Sequence, residues 1–229
     1  MRIFIACISI LSILFASTAD LAANGALDDI ENRLRNCKEK WCLAVARPPI
    51  PWPSPIRAKT VTIEAHPAVI FKIPLGYTHI RSTDYFLMFI YGHGKALILE
   101  ELSRDAFPEL REHTKASSMT MADAARATFT GTTRDKVPER LDDRYFWNWA
   151  MLFKTAFFEN GVPVQASRKD TLSAYYLSTR RKGGNLVNEA LIINEKSPDY
   201  ILKLKSVHMT FEEFKGIIGS VAGKEAVKP

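Results

Sequence analysis

The stretch Leu186-Val-Asn-Glu-Ala-Leu-Ile-Ile-Asn194, Glu195-Lys-Ser-Pro-Asp199, Tyr200-Ile-Leu-Lys-Leu-Lys205 and Met209-Thr-Phe-Glu-Glu-Phe-Lys-Gly-Ile-Ile-Gly-Ser-Val221 decides the fold. Residues 186–194 are apolar and β-prone, and 195–199 are turn-forming. Tyr200, Leu202 and Leu204 alternate with Lys203 and Lys205, the period of a strand with one buried face. Thr210 followed by Glu213 is a capping box, and Met209 with Phe214 forms its hydrophobic staple. Phe211, Phe214, Ile217, Ile218 and Val221 then line one side of a helix. Strand, turn, strand and packed helix point to an α+β domain: a central antiparallel sheet flanked by helices, with an N-terminal helix and a Pro-rich spacer.

Working outward, two strands are expected N-terminal to this unit, at 162–166 and 171–178, followed by the cationic turn Thr179-Arg-Arg-Lys-Gly-Gly184. Arg180, Arg181 and Lys182 could bind a phosphate or an acidic partner, and a solvated hairpin tip is the plainer reading. Before them runs Tyr145-Phe-Trp-Asn-Trp-Ala-Met-Leu-Phe-Lys-Thr-Ala-Phe-Phe158, capped by Asp142 or Asp143 and stopped by Asn160-Gly161. Arg144, Asn148, Thr155 and Glu159 fall on one narrow stripe; the remainder is almost wholly apolar. Such a helix is either sandwiched in a core or presents aromatic surface, here Trp147, Trp149 and Phe153, to a partner or lipid.

Shorter helices are expected at 105–115 and at 121–129, with Thr120 as cap. Strands are expected at 60–63, 69–73, 84–91 and 95–100, the last two forming a hairpin through Gly92-His93-Gly94. The 84–91 strand is apolar on both faces and reads as central. Gly92-His93-Gly94-Lys95 lacks the length and hydroxyl of a phosphate loop.

Residues 26–46 read as a helix with Leu27, Ile30 and Leu34 on one face. Cys37 and Cys42 lie within it, too far round a helix to bond unless it ends or kinks between them. An even cysteine count in an exported chain favours that disulfide over a metal site, for which a third ligand is missing nearby. Five prolines in residues 48–55 make an extended segment, read as a linker across the domain with Trp52 tucked in; a polyproline ligand is the alternative.

Ile3–Ala16 is an apolar run behind Arg2, the length of a signal-peptide core and too short to span a bilayer. Cleavage is expected after Ala19, with Ala22 and Ala23 as further sites; a retained anchor is the other reading. Cys7 lies inside the run, where a lipidated cysteine would end it. Removing residues 1–19 takes away one Arg and lowers the formal charge from +6 to +5. The organisation expected is a signal peptide at 1–19, a helical appendage at 20–47, a linker at 48–58, the α+β domain at 59–222 and a flexible tail at 223–229.

With these elements in order, residues 60–222 resemble the PsbP/DcrB superfamily. Phe71-Lys-Ile-Pro-Leu-Gly-Tyr77, Tyr175-Tyr176, the paired strands Ala190–Ile193 and Tyr200–Leu204 and the closing helix Met209–Val221 carry the resemblance. It implies a central antiparallel sheet with helices on its faces, and a mostly non-enzymatic binding or accessory role. The cysteine-bearing N-terminal helix and the apolar helix at 145–158 depart from the family's minimal form, so a shared partner does not follow.

No H-E-x-x-H, G-x-S-x-G or dinucleotide fingerprint is present. The five histidines are scattered. No catalytic residue, cofactor or metal is therefore assigned, and no nucleic-acid motif accompanies the mild basicity. The function expected is an exported, periplasmic, non-enzymatic protein that docks a protein partner in the cell envelope; an immunity protein against a secreted toxin and an envelope accessory factor both fit. Contact with the membrane is open but has no motif behind it. The alternative is an envelope ligand carrier or hydrolase, with a pocket between sheet and aromatic helix lined by Tyr85, Tyr175, Tyr176 or Trp149. A structural envelope protein whose aromatic helix is all core is the third reading.

Overall fold

A computed structural model describes residues 20–83, 86–181 and 184–224. The expected signal segment at 1–19, Tyr85, Lys182 and most of the expected tail lie outside these residues.

The fold is α+β, as the alternation and capping signals require. Its centre is an eight-stranded sheet in the order β1-β7-β8-β9-β10-β6-β5-β4. These are β1 (Ile50–Pro51), β4 (Tyr77–Ser82), β5 (Phe86–Tyr91), β6 (Ala96–Ser103), β7 (Gln165–Lys169), β8 (Leu172–Arg180), β9 (Leu186–Asn194) and β10 (Tyr200–Val207). Every pairing is antiparallel except β1 with β7.

Alternation along the strands divides the core in two. Tyr175, Leu177, Leu191, Ile193 and Ile201 face the helices α1 (Asp20–Arg35), α2 (Lys40–Leu43), α3 (Pro108–His113), α4 (Met121–Thr130) and α5 (Leu141–Phe158). Ala174, Tyr176, Ala190, Ile192, Leu202 and Leu204 face the other way. They meet α6 (Phe211–Gly219) and a second sheet of β11 (Ala222–Gly223), β3 (Val69–Pro74) and β2 (Thr60–Ile63). Two-sided burial explains why β8–β10 are apolar nearly throughout.

Several expectations are refined. The capping box on α6 forms, with Thr210 Oγ1 accepting from Glu213 N at 3.1 Å and Glu213 Oε2 accepting from Thr210 N at 2.7 Å. α5 begins at Leu141 with Arg140 as its cap position, so Asp142 and Asp143 lie in the first turn instead of capping. Asp143 accepts from Ser117 Oγ at 2.6 Å and from Ser118 N at 3.0 Å, which ties the preceding loop to the helix. The 84–91 strand is second from the sheet's edge, not central, because residues 77–82 form an edge strand beyond it. The expected helix at 26–46 is two helices. The chain leaves α1 after Arg35 and restarts at Lys40, which brings the Cys37 and Cys42 Cα atoms within 6.2 Å in a disulfide.

The Pro-rich segment is extended and works as a strap. Ala46 N donates to Phe129 O at 2.7 Å on the helix layer, and Arg47 N to Val164 O at 2.9 Å. Ile50 and Pro51 lie beside Ser167 and Arg168 of β7, Trp52 packs on the second core, and Ile56 N donates to Gly216 O at 3.0 Å. One segment thus crosses the sheet's edge and touches both layers. Among the described residues, no helix is long and apolar enough to cross a membrane.

Candidate functional site

The helix layer covers β7–β9 and one end of β10 and β6, where Ile201 and Leu102 lie; among the described residues, β4 and β5 contribute nothing to the core beneath it. Register shows what lies on the remaining part of that face. Residues paired across a ladder share a side of the sheet, so Glu189, Lys205, Ile98, Met88 and Arg81 form one row. Leu191, Lys203, Glu100 and Phe86 form the next. Met88, Ile98 and Phe86 are half-buried.

This face is polar in its middle and apolar towards β5. Lys203 Nζ meets Glu100 Oε2 at 2.6 Å. Lys205 Nζ meets Glu189 Oε1 at 3.3 Å, and Arg181 Nη2 approaches the same oxygen at 3.7 Å. Burial pushes the Lys205 ammonium below its ordinary range, opposed by the Glu189 carboxylate and reinforced by the Arg181 charge.

The residues expected to meet a partner divide into two groups. Trp147 and Trp149 are only 5% and 3% exposed, and Phe153 is half-buried. Trp149 stacks on Phe153 with centroids 4.9 Å apart and meets Phe107 edge-on at 5.5 Å. The aromatic helix is therefore core, and its tryptophans present no surface. Arg181 is exposed beside the charged face, whereas Arg180, exposed and on the other side of the sheet by register, reaches Gly184 O at 3.4 Å through Nη1. Lys182 falls outside the described residues.

Nor do the expected pocket residues converge. Tyr175 faces the helices, stacking on Phe129 at 4.3 Å, whereas Tyr176 faces the second core and its hydroxyl lies 3.0 Å from Ser167 Oγ. They lie on opposite sides of the sheet. A separate cleft of about 250 Å³ opens near Lys169, Asp170, Thr171, Lys196 and Lys224, where the Lys224 ammonium donates to Glu64 O at 2.6 Å. Among the described residues, no three His, Cys, Asp or Glu side chains are grouped to hold a metal ion.

Two polar centres hold the helix layer in place. Arg144 and Asn148, on the polar stripe visible in the sequence, meet α1: Arg144 Nε donates to Glu31 Oε1 at 2.9 Å, and Asn148 Nδ2 to the same oxygen at 3.0 Å. Arg144 also pairs with Asp28. Sequence reasoning missed Lys154, which is fully buried; its ammonium donates to Thr128 O and Gly131 O at 2.9 Å each and to Ala44 O. Burial lowers its pKa to about 8, with the Asp135 charge opposing, so it stays protonated at neutral pH.

No family model and no curated protein matches this chain. A solved structure of a mutant of the protein Mog1 aligns over 73% of this chain and 97% of that one, with 9% identity and a TM-score of 0.34. At that distance the likeness carries no argument.

Proposed function

We propose that this chain is an exported, periplasmic binding protein that docks a protein partner through the half-covered sheet face of β5, β6 and β10. The carrying observation is that face: Phe86, Met88 and Ile98 beside the Glu100–Lys203 and Glu189–Lys205 ion pairs, left outside the helix layer. Apolar area beside ordered charge favours association with a surface of matching shape and opposite charge pattern. The Cys37–Cys42 pair is compatible with an oxidising compartment, and export would supply one. An accessory role accords with what the PsbP/DcrB resemblance implies; an immunity protein would use the same face.

Affinity capture from the cell's own envelope extract tests this, with a photo-crosslinker placed at Ile98 and, as a control, at Trp52 in the strap. The expected result is one stoichiometric protein crosslinked from Ile98 and not from Trp52. Recovery of a lipid or small molecule with no protein partner overturns it.

A further inference from the structure

The eight-stranded sheet has two edges, and they differ. β1 is two residues long, contains Pro51 and is closely preceded by Pro49 and followed by Pro53, none of which has an N–H to offer a further strand. β4 is six residues long, and Thr78–Ser82 are exposed. Thr83 N donates to Phe86 O at 3.0 Å. Antiparallel pairs alternate between bonded and non-bonded, so Arg81 with Met88 and His79 with Ile90 are the bonded pairs. The backbone N–H groups of Ile80 and Ser82 therefore point away from β5, towards the free edge. Natural proteins usually obstruct such an edge; among the described residues no strand pairs beyond β4, and the one irregularity in its pairing is the bulge between Tyr77 and His79, at the far end from Ser82.

The side chains specify what would fit. Ile80, paired with Phe89 on the second-core side, is 51% exposed, an apolar residue waiting for a neighbour. Arg81 and His79 lie on the opposite side, and Arg81 has no ion-pair partner among the described residues. A second copy fits poorly: antiparallel self-pairing centred on Ile80 sets Arg81 opposite His79 twice and brings no carboxylate to either guanidinium. A strand alternating apolar and acidic residues satisfies both sides.

We propose that β4 is an acceptor strand, and that an extended segment of the docked partner, alternating apolar and acidic residues, adds to its free edge as a ninth strand. This rests on the docking function proposed above, since β4 borders the same face.

The probe is a synthetic decapeptide alternating Leu and Glu, compared with its Leu and Lys counterpart, read by amide exchange and fluorescence anisotropy on the purified protein. The acidic peptide is expected to protect the Ile80 and Ser82 amides and to bind roughly tenfold more tightly than the basic one, the effect of a few exposed charge pairs. Ile80→Pro is expected to abolish binding with an unchanged melting temperature. Arg81→Glu, which keeps the backbone intact, is expected to reverse the peptide preference. Equal binding of the two peptides, protection elsewhere, or no binding of the acidic peptide at about 1 mM overturns the proposal. So does protection of both amides without peptide that grows with protein concentration, which would assign the edge to a second copy. If a captured partner protects the Glu100–Lys203 face while the Ile80 and Ser82 amides exchange freely, strand addition falls and docking stands.

Discussion

Lys154 Nζ donates to the carbonyl oxygen of Thr128 at 2.9 Å, from within the aromatic helix α5. The same ammonium reaches Gly131 and Ala44, and it lies 4.3 Å from the centre of the Phe158 ring. One cation thus holds the end of α4, the loop after it and the segment that follows the disulfide. Lys154→Met keeps the aliphatic stem and strands three carbonyls, one in a buried and two in part-buried hydrogen bonds. Each such loss costs about 1–3 kcal/mol, so the variant is expected to lose at least about 3 kcal/mol. In a chain of this size that is a fall of roughly 6–12 °C in melting temperature, read by calorimetry.

His66 sets a pH response of definite sign. It is buried, its Nδ1 accepts from Ala68 N at 3.2 Å, and burial lowers its pKa to about 4, opposed by a backbone hydrogen bond at Ile201 and aided by the Lys224 charge. The unfolded chain, with an ordinary pKa of 6.5, binds the proton first. Between pH 6.5 and 4 the unfolded state therefore holds more protons, and stability falls as pH falls, by up to about 3 kcal/mol. Denaturant titrations across that window are expected to show the decline in the native protein and a flatter profile in His66→Gln. The acid limb below it, from Asp123, Asp143 and Glu213, whose pKa values are lowered despite their burial, should remain in both.

How much of this was legible follows from the range of each signal. The β9–β10 hairpin and the α6 cap rest on alternation and on a Thr three residues from a Glu, both local, and both form. The Arg144 and Asn148 stripe was equally visible, because it is a helix period. β4 was not, since Thr-His-Ile-Arg-Ser at an open edge has no buried face to impose alternation. Lys154 looked like one polar residue among aromatics; its carbonyl partners come from residues 44, 128 and 131, and only the tertiary fold brings them together. Trp147 and Trp149 read alike for a sandwiched helix and for an exposed one, and the surrounding helices decide it.

Arg144 and Glu31 provide a test of how α1 is attached. Glu31 is buried, and Arg144 binds it through both Nε and Nη2 at 2.9 Å. Hydrogen bonding to Glu31, against the cost of burial, raises the already high pKa of Arg144, so the guanidinium is charged at every accessible pH. Arg144→Met leaves the Glu31 carboxylate with only Asn148, and is expected to cost about 3–5 kcal/mol, as for a broken buried pair. Glu31→Gln in the same chain should recover a large part of that, because the uncompensated charge is gone. A double-mutant cycle in urea reads the coupling directly; additive losses would show that α1 is held by Leu27 and Leu34 alone.

The same substitution at two glycines is expected to act with opposite signs. Gly25 lies within α1, and a Cβ there would meet nothing within 4 Å. Gly25→Ala removes backbone freedom from the unfolded chain and should stabilise the protein by about 0.5–1 kcal/mol. Gly219 ends α6, where propensity alone also favours Ala. Its Cβ would lie 2.4 Å from Ser54 O and 2.5 Å from Pro53 O, however, and both are backbone atoms of the strap that cannot rotate away. Displacing them costs about 1–3 kcal/mol by the usual scale of overpacking, which outweighs the propensity gain. Gly219→Ala is therefore expected to lower stability and to free residues 52–56 from the second core. Limited proteolysis reads the second effect: cleavage within 47–58 should accelerate in Gly219→Ala and stay unchanged in Gly25→Ala. Equal resistance in both variants would show that the strap is held by its β7 pairing and Trp52, and that its passage over Gly219 contributes nothing.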